Sequence, residues 1–178
     1  MYRKLFTFLF FLLLSFNFFL YPASARTTPA DIISSQREVY NQRLKTYSSQ
    51  SQNKLTDYDK KIADLNKKIT QELEANLLRQ GQVLEEYSRR QNLDLSMGGK
   101  DGISRNLQNP TENAQYWLNF AHEAAAYQAA QVYIINLTGE ANINRDINSQ
   151  VSSLEGDINI LRGKVLKSQK IIAELVNK

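Results

Sequence analysis

The glycine-rich stretch Gly98-Gly99-Lys100-Asp101-Gly102 is the part of the chain that comes closest to a ligand-binding loop. A phosphate-binding loop of the G-x-x-x-x-G-K-[S/T] type needs that spacing, between a strand and a helix. Here Asp101 follows the lysine, the spacing is missing and no strand pattern precedes the glycines. The stretch therefore does not predict a nucleotide site.

A calcium loop fails on its ligands. Such a loop needs oxygen ligands at alternate positions and a glutamate at the twelfth. Counted from Asp94, the fifth position is Gly98 and the twelfth is Arg105. We therefore predict a connector between two helices. The alternative is a partner-binding tip, whose candidate residues are Met97, Lys100, Ile103 and Arg105.

His122 is the only histidine, and the chain has no cysteine. A general base needs an orienting acid and a pocket that excludes water, which the pattern around His122 does not suggest. One imidazole without thiolates is also a poor basis for a metal site. The glutamates near residues 72–86 alternate with basic residues at helical spacings, which is typical of a solvated helix face. We predict no catalytic residue, no metal and no cofactor.

Aromatic residues gather early in the segment that follows Pro110. Tyr116, Trp117 and Phe120 lie within five residues of one another. Exposed aromatic side chains are typical of protein interfaces, although the same side chains could close the packed end of a helical pair. We predict that Tyr116, Trp117 and Phe120 contribute to partner or subunit binding.

The first 25 residues have the pattern of a secretory signal peptide. They combine a basic start at Arg3 and Lys4, an apolar run over residues 5–21 and small residues that end at Ala25. This is the pattern that a signal peptidase reads. The alternative is an uncleaved membrane anchor, but a spanning helix needs about 20 predominantly apolar residues. We predict an extracytoplasmic chain, in the periplasm, on the cell surface or secreted, with no stable membrane span after cleavage.

Charge gives no argument for nucleic acid as a partner. The formal net charge of the whole chain is +4, from 22 basic and 18 acidic residues. Arg3 and Lys4 lie in the predicted signal peptide, so 20 basic and 18 acidic residues remain and leave +2. Nucleic-acid binding calls for basic residues clustered on one face, and none are evident.

Two helix starts are the strongest local signals. Thr28-Pro29 and Asn109-Pro110 each place a capping side chain before a proline, and each is followed by an acid in the first turn. The cap accepts from free backbone N–H groups, and proline lacks the N–H that would be unpaired at that position. We predict that helices begin at both prolines.

Apolar periodicity after each proline predicts an all-α fold. An apolar heptad recurs in the second segment, at Ile147, Val151, Leu154, Ile158, Leu161, Val165, Ser168, Ile172 and Leu175. Folding the chain back about the loop places Gly81 near Ala121 and Leu55 near Ile147. We predict a long antiparallel, coiled-coil-like hairpin with a helix at about 29–92, a loop at about 93–109 and a helix at about 110–177.

Two positions allow a different course. The polar run at residues 48–53 fits either a solvated helix or a hinge, and Gly139 could end one helix and start a third. We predict a continuous second helix, with a kink or split near Gly139 as the alternative. A two-helix hairpin buries little area per residue, so we also predict self-association or docking onto a protein partner.

These features predict an exported, non-enzymatic coiled-coil protein that acts as a structural or protein-interaction module of the cell envelope. A periplasmic holdase-type chaperone is the alternative, and an enzyme is a remote one. The predicted hairpin resembles, in outline only, the hairpins of periplasmic adaptor proteins and the tentacles of prefoldin-like periplasmic chaperones. It lacks the β-rich domains that those proteins use to assemble, so the resemblance is one of architecture and not of motif.

Overall fold

The computed structural model describes residues 28–91 and 109–177. Over these ranges the chain is helical and contains no strand, so the predicted all-α class is confirmed. The elements are listed in chain order: α1 (Pro29–Leu44), α2 (Ser49–Arg90), α3 (Pro110–Ala129), a 3₁₀ turn (Glu140–Asn142) and α4 (Ile143–Val176). The predicted signal peptide and nearly all of the predicted 93–109 loop lie outside the described residues.

The chain divides into two compact units, Met1–Gln36 and Arg37–Lys178. In the first unit, Thr28 and Asp31 form a reciprocal cap at the start of α1. Thr28 donates from its backbone N–H and its hydroxyl to the Asp31 carboxylate, and the Asp31 N–H donates to Thr28 Oγ1. This confirms the predicted helix start.

The second predicted start is confirmed in the same way. The side-chain oxygen of Asn109 accepts from the backbone N–H groups of Thr111 and Glu112, at 3.0 and 3.5 Å, and Pro110 opens α3. Two orphan donors of the first turn are thereby satisfied.

A single helix over residues 29–92 is wrong, because the chain leaves the helix between Leu44 and Ser49. Ser48 caps α2 with its hydroxyl, which accepts from the Ser51 N–H. Glu140 accepts from the Ser48 backbone N–H and hydroxyl. The non-helical break covers residues 45–48, whereas residues 49–53 of the polar run open α2, so most of the run is helix and the hinge lies at its start. Serine favours such capped starts over helix interiors.

A continuous second helix is also wrong. α3 ends at Ala129, residues 130–139 are non-helical, and α4 begins after Gly139. The interruption includes Val132-Tyr133-Ile134-Ile135, whose β-branched and aromatic side chains favour extended backbone. Gly139 then adopts φ +157° and ψ 153°, a conformation essentially restricted to glycine. The split near Gly139 is therefore the alternative that the structure adopts.

Contacts along α2 fix the direction of the two later helices. α3 runs antiparallel to α2, since Asn66 meets Gln128 near one end and Gly81 meets Leu118 further along. α4 runs parallel to α2, because Lys54 Nζ lies 2.6 Å from Asn144 Oδ1 and Gln80 donates to the Val165 carbonyl at 3.4 Å. The structure therefore has three packed segments instead of the predicted two-helix hairpin. They are α2, α3 followed by residues 130–139, and α4.

The lengths of the three segments match one another. α2 has 42 residues and measures about 63 Å, whereas the 20 residues of α3 cover only about 30 Å. Residues 130–139 cover roughly another 30 Å if extended. α3 and this segment together therefore return the chain along α2 before α4 runs back.

Two apolar clusters form the core. One lies among α2, α3 and α4 and comprises Leu77, Leu84, Ala114, Leu118, Ala121, Ala125, Leu161, Val165, Ile172 and Leu175. The other joins the end of α1, α2, the 130–139 segment and α4, and comprises Tyr40, Leu55, Ile62, Ile135, Leu137, Ile143, Ile147, Leu154 and Ile158. The predicted heptad on α4 supplies both clusters, with Val151 alone of its nine positions half-buried. None of the described helices combines the length and apolar character that crossing a bilayer requires.

Candidate partner-binding groove

Tyr116, Trp117 and Phe120 form one aromatic cluster on α3. The Trp117 ring lies edge-on to both neighbours, at centroid distances of 5.5 Å to Tyr116 and 5.6 Å to Phe120. Tyr116 and Phe120 stack at 6.2 Å, as expected for residues one turn apart. All three are half-buried. The structure therefore brings together the three aromatic residues that the sequence predicts as partner-binding.

Two lysines of α4 lie over this cluster. Lys167 Nζ is 3.7 Å from the centre of the Trp117 ring, and Lys164 Nζ is 4.7 Å from the centre of the Phe120 ring. An ammonium over an aromatic face gains about 0.5–2 kcal/mol, more as water is removed. The lysines are three residues apart, so they share one face of α4 and hold the cluster against it.

A groove continues from Phe120 between α3 and α4. It has a volume of about 630 Å³, and its walls are lined by Phe120, Glu123, Ala124, Tyr127, Gln128, Gln131, Asp157, Ile160, Leu161 and Lys164. Two large side chains on its rim face solvent, Tyr127 at 71 % and Ile160 at 62 % relative exposure. Exposed apolar side chains next to a concave surface are typical of binding sites for proteins.

A network of polar side chains lies at the end of the groove that is farther from Phe120. Gln128 Nε2 donates to Asn66 Oδ1 at 2.9 Å and to the Tyr133 hydroxyl at 2.6 Å, and that hydroxyl donates to Asp157 at 2.7 Å. Burial raises the pKa of Tyr133 to about 12, and the nearby Asp157 carboxylate acts in the same direction. The network connects α2, α3, the 130–139 segment and α4 next to the groove.

The positively and negatively charged side chains lie at different ends of the groove. Lys164 and Lys167 lie at the aromatic end, whereas Glu123 and Asp157 lie towards the other end. Asp157 accepts from Tyr133, so its charge is partly engaged within the protein. A ligand would therefore meet cations beside Trp117 and Phe120 and anions nearer Gln131.

His122 lies elsewhere, at the contact between α2 and α3. Its Nδ1 is 2.7 Å from Glu74 Oε1, and both side chains are partly exposed. The pair links α2 and α3 at the surface. In residues 28–91 and 109–177, no three His, Asp or Glu side chains come close enough together to hold a metal ion.

The remaining predicted contact residues, Met97, Lys100, Ile103 and Arg105, lie outside the described residues. Sequence reasoning did not identify Lys164, Lys167 or Ile160 as part of a site. The available signal was their position beside the α4 heptad, on the flank of Leu161 and Val165. These residues lie at the groove because α4 runs parallel to α2, and local sequence patterns do not predict that direction.

Comparison with family models, with curated proteins and with solved structures gave no significant match for this chain.

Proposed function

We propose that this chain is an exported, non-enzymatic protein-interaction module of the cell envelope, and that it binds a protein partner through the groove between α3 and α4. The observation that carries the proposal is the combination of the lysine-covered aromatic cluster with the exposed Tyr127 and Ile160 beside a concave surface. Exposing several large apolar side chains in one patch is unfavourable in free energy, so such a patch is typically covered by a binding partner.

An amphipathic helix is the partner element that fits the groove best. From Phe120 to Tyr127 the groove follows seven residues of α3, or about 10 Å, which accommodates roughly two turns of a docked helix. Apolar side chains of that helix would cover Tyr127 and Ile160. Acidic side chains at one end would face Lys164 and Lys167, because complementary charge orients a partner.

Export is the second part of the proposal. It rests on the basic start, apolar run and small-residue site of residues 1–25. A non-enzymatic role is favoured by the groove lining, in which Asp157 is tied to Tyr133 and Glu123 is exposed. The described residues that line the groove include no serine, threonine, cysteine or histidine, the side chains that form the commonest nucleophile and base pairs.

A holdase-type chaperone is the second candidate. Leu166 of α4 is 63 % exposed, so together with Tyr127 and Ile160 the helical surface offers several separate apolar contacts. A holdase would use such contacts with many unfolded chains. A dedicated interaction module would use the groove with one folded partner.

The experiment is a cross-linking pull-down of the signal-cleaved chain from the envelope fraction of its own cells, comparing wild type with Trp117→Ala/Phe120→Ala. One dominant partner, lost in the variant, is the expected result. Leu78→Ala, a change at an exposed α2 position away from the groove, should retain it. A partner retained equally by both variants would contradict the assignment of the groove. If no dominant partner is recovered and the protein suppresses the aggregation of an unfolded outer-membrane protein, the result would favour the holdase function over the interaction module.

A further inference from the structure

The segment that joins α3 to α4, residues 130–139, makes few backbone hydrogen bonds. Within the ranges that the structure describes, the N–H and C=O groups of residues 132–136 bond to no other protein group. Ile135, in this stretch, is only 1 % exposed. Buried backbone groups of native proteins are nearly always paired, and a helix pairs them along its own axis. A helical conformation would therefore satisfy backbone groups that the extended one leaves without a protein partner.

The sequence continues the buried stripe of α3 through this segment and into α4. From Gln128, the last buried residue of α3, steps of three or four residues lead to Val132, Ile135, Gly139, Ile143 and Ile147. The last two are buried on α4. Residues 124–139 contain no charged side chain and no proline. β-Branched residues lower helix propensity only slightly, so the same stretch is compatible with a helix that runs on from α3 to α4.

The directions of the helices decide what such a continuous helix could contact. In the compact chain α4 runs antiparallel to α3 and parallel to α2. A helical 130–139 segment would point α4 in the same direction as α3, away from its own α2. In a second copy related by a two-fold axis perpendicular to the helices, α2 and α3 run the opposite way. On that copy α4 would again lie parallel to α2 and antiparallel to α3.

The lengths of the helices also fit. Asn66 contacts Gln128 at the end of α3, and Lys54 contacts Asn144 at the start of α4. Asn66 and Lys54 lie about 18 Å apart along α2, and a helix from Gln128 to Asn144 would cover about 24 Å. The straightened helix would thus reach the first turn of its own α2, which begins at Ser49. Beyond that point α4 runs past its own α2, and the reversed α2 of the second copy can lie beside it.

We propose that residues 130–139 straighten into a helix in a domain-swapped dimer, in which α4 of each copy packs on α2 and α3 of the other. The exchange preserves the core contacts, because Leu161 and Val165 enter the same apolar cluster as Leu77. It also preserves the hydrogen bond from Gln80 to the Val165 carbonyl. Exchange of an identical element between protomers is a low-cost route to a dimer. The hinge, residues 130–139, gains the backbone bonds of a helix.

A second copy is the occupant because the surface that α4 leaves on α2 and α3 already matches α4. No new complementarity is required, and the groove between α3 and α4 keeps both walls, one from each copy. The inference therefore does not depend on the proposed partner. The compact chain keeps contacts that the dimer gives up, such as those from Tyr133 to Asp157 and from Thr138 to Asp146. The two forms therefore exchange, and a higher protein concentration favours the dimer.

Spin labels distinguish the exchange from any other association. The chain has no cysteine, so Glu123→Cys/Ile160→Cys takes one label on each wall of the groove. Labelled chain is refolded with an excess of unlabelled chain and the dimer is isolated by gel filtration, so that each labelled dimer holds one labelled copy. Pulsed electron resonance should give a distance of about 55 Å within that copy, along one helix, and a much shorter distance in the monomer. A short distance in the dimer, or a chain that stays monomeric at every concentration, would overturn the proposal.

Variants in the hinge supply the second test, with the dimer measured by sedimentation. Asn136 is exposed and its N–H is free, so Asn136→Pro fits the extended segment but interrupts a helix. It should weaken dimerisation by roughly a hundredfold or more and leave the circular dichroism of the monomer unchanged. Gly139→Ala should have the opposite effect, because alanine is strained at φ +157° and favours a helix.

Gly156→Ala is the matched control, since this part of α4 is helical in both forms, and it should leave the dimer fraction unchanged. Trp117→Ala/Phe120→Ala should also retain the dimer, because both forms contain the same groove. A dimer that survives Asn136→Pro, or one that only the groove variant removes, would contradict the exchange.

Discussion

The side-chain amide of Asn66 donates to the main-chain carbonyl of Gln128 at 3.0 Å, and the side-chain amide of Gln128 donates back to Asn66 Oδ1 at 2.9 Å. Both residues are buried. The Gln128 carbonyl also accepts from the Gln131 N–H at 3.1 Å, so Asn66 adds a side-chain donor to a carbonyl at the end of α3. The pair thereby fixes the place on α2 where α3 gives way to the 130–139 segment.

Asn66→Ala should lower the free energy of unfolding by about 1–3 kcal/mol, because it leaves buried amide groups without partners. Chemical denaturation of Asn66→Ala, Gln128→Ala and the double variant measures both the cost and the coupling. We expect a coupling of about 0.5–3 kcal/mol, as found for residues in one network. Purely additive losses would show that the two amides act independently.

Gly139→Ala should destabilise the protein by about 1–3 kcal/mol, since the backbone conformation at this position is strained for any residue with a Cβ. Gly156→Ala is the matched control. The space around Gly156 in α4 is open, so alanine should raise the free energy of unfolding by about 1 kcal/mol through helix propensity. Thermal unfolding of both variants checks this, and shifts of the same sign would refute the assignment of Gly139 as the turn before α4.

Ser168→Ala should leave the protein as stable or more stable by about 1 kcal/mol. Ser168 is the one polar residue in the α4 heptad, and its fully buried hydroxyl has no hydrogen-bond partner. Removing an unsatisfied buried group recovers its desolvation cost. Leu161→Ala, at a neighbouring heptad position, should instead cost about 2–5 kcal/mol. A large loss on replacing Ser168 would indicate that its hydroxyl is used.

Tyr133 should make the protein sensitive to alkali. Burial raises its pKa to about 12 in the folded chain, from about 10 in the unfolded one. The stabilisation is complete below about pH 10 and is lost as the pH rises to about 12, because the unfolded state then binds fewer protons. Denaturation midpoints across this interval should fall more steeply for wild type than for Tyr133→Phe. Tyr40, whose pKa burial also raises to about 12, should leave part of the slope. Identical slopes would contradict the role of Tyr133.

The sequence predicted the helix starts well, because Thr28-Pro29 and Asn109-Pro110 carry their caps within one turn. It also predicted the buried face of α4, since heptad spacing is local. The end of α3 was missed because Val132 and Ile135 also fit a helical spacing, which hid the period of two at Ile135 and Leu137. Its stabilising contact comes from Asn66, 62 residues earlier in the chain.

The groove was predictable only in part, for the same reason. Tyr116, Trp117 and Phe120 are close in sequence and had to cluster on any helix. Lys164 and Lys167 reach them only because residues 130–139 return the chain to the far end of α2 and send α4 back beside α3 in this direction. That course depends on tertiary contacts, to which local patterns are blind.

The most direct test of the groove as a partner site is site-specific photo-cross-linking in the native envelope. A photoreactive residue at Ile160, on the groove rim, should give one discrete adduct with another protein, and Trp117→Ala/Phe120→Ala should remove it. The same residue at Leu78, which is comparably exposed on α2, should give none. No adduct at position 160, or equal adducts at positions 160 and 78, would contradict the proposed function.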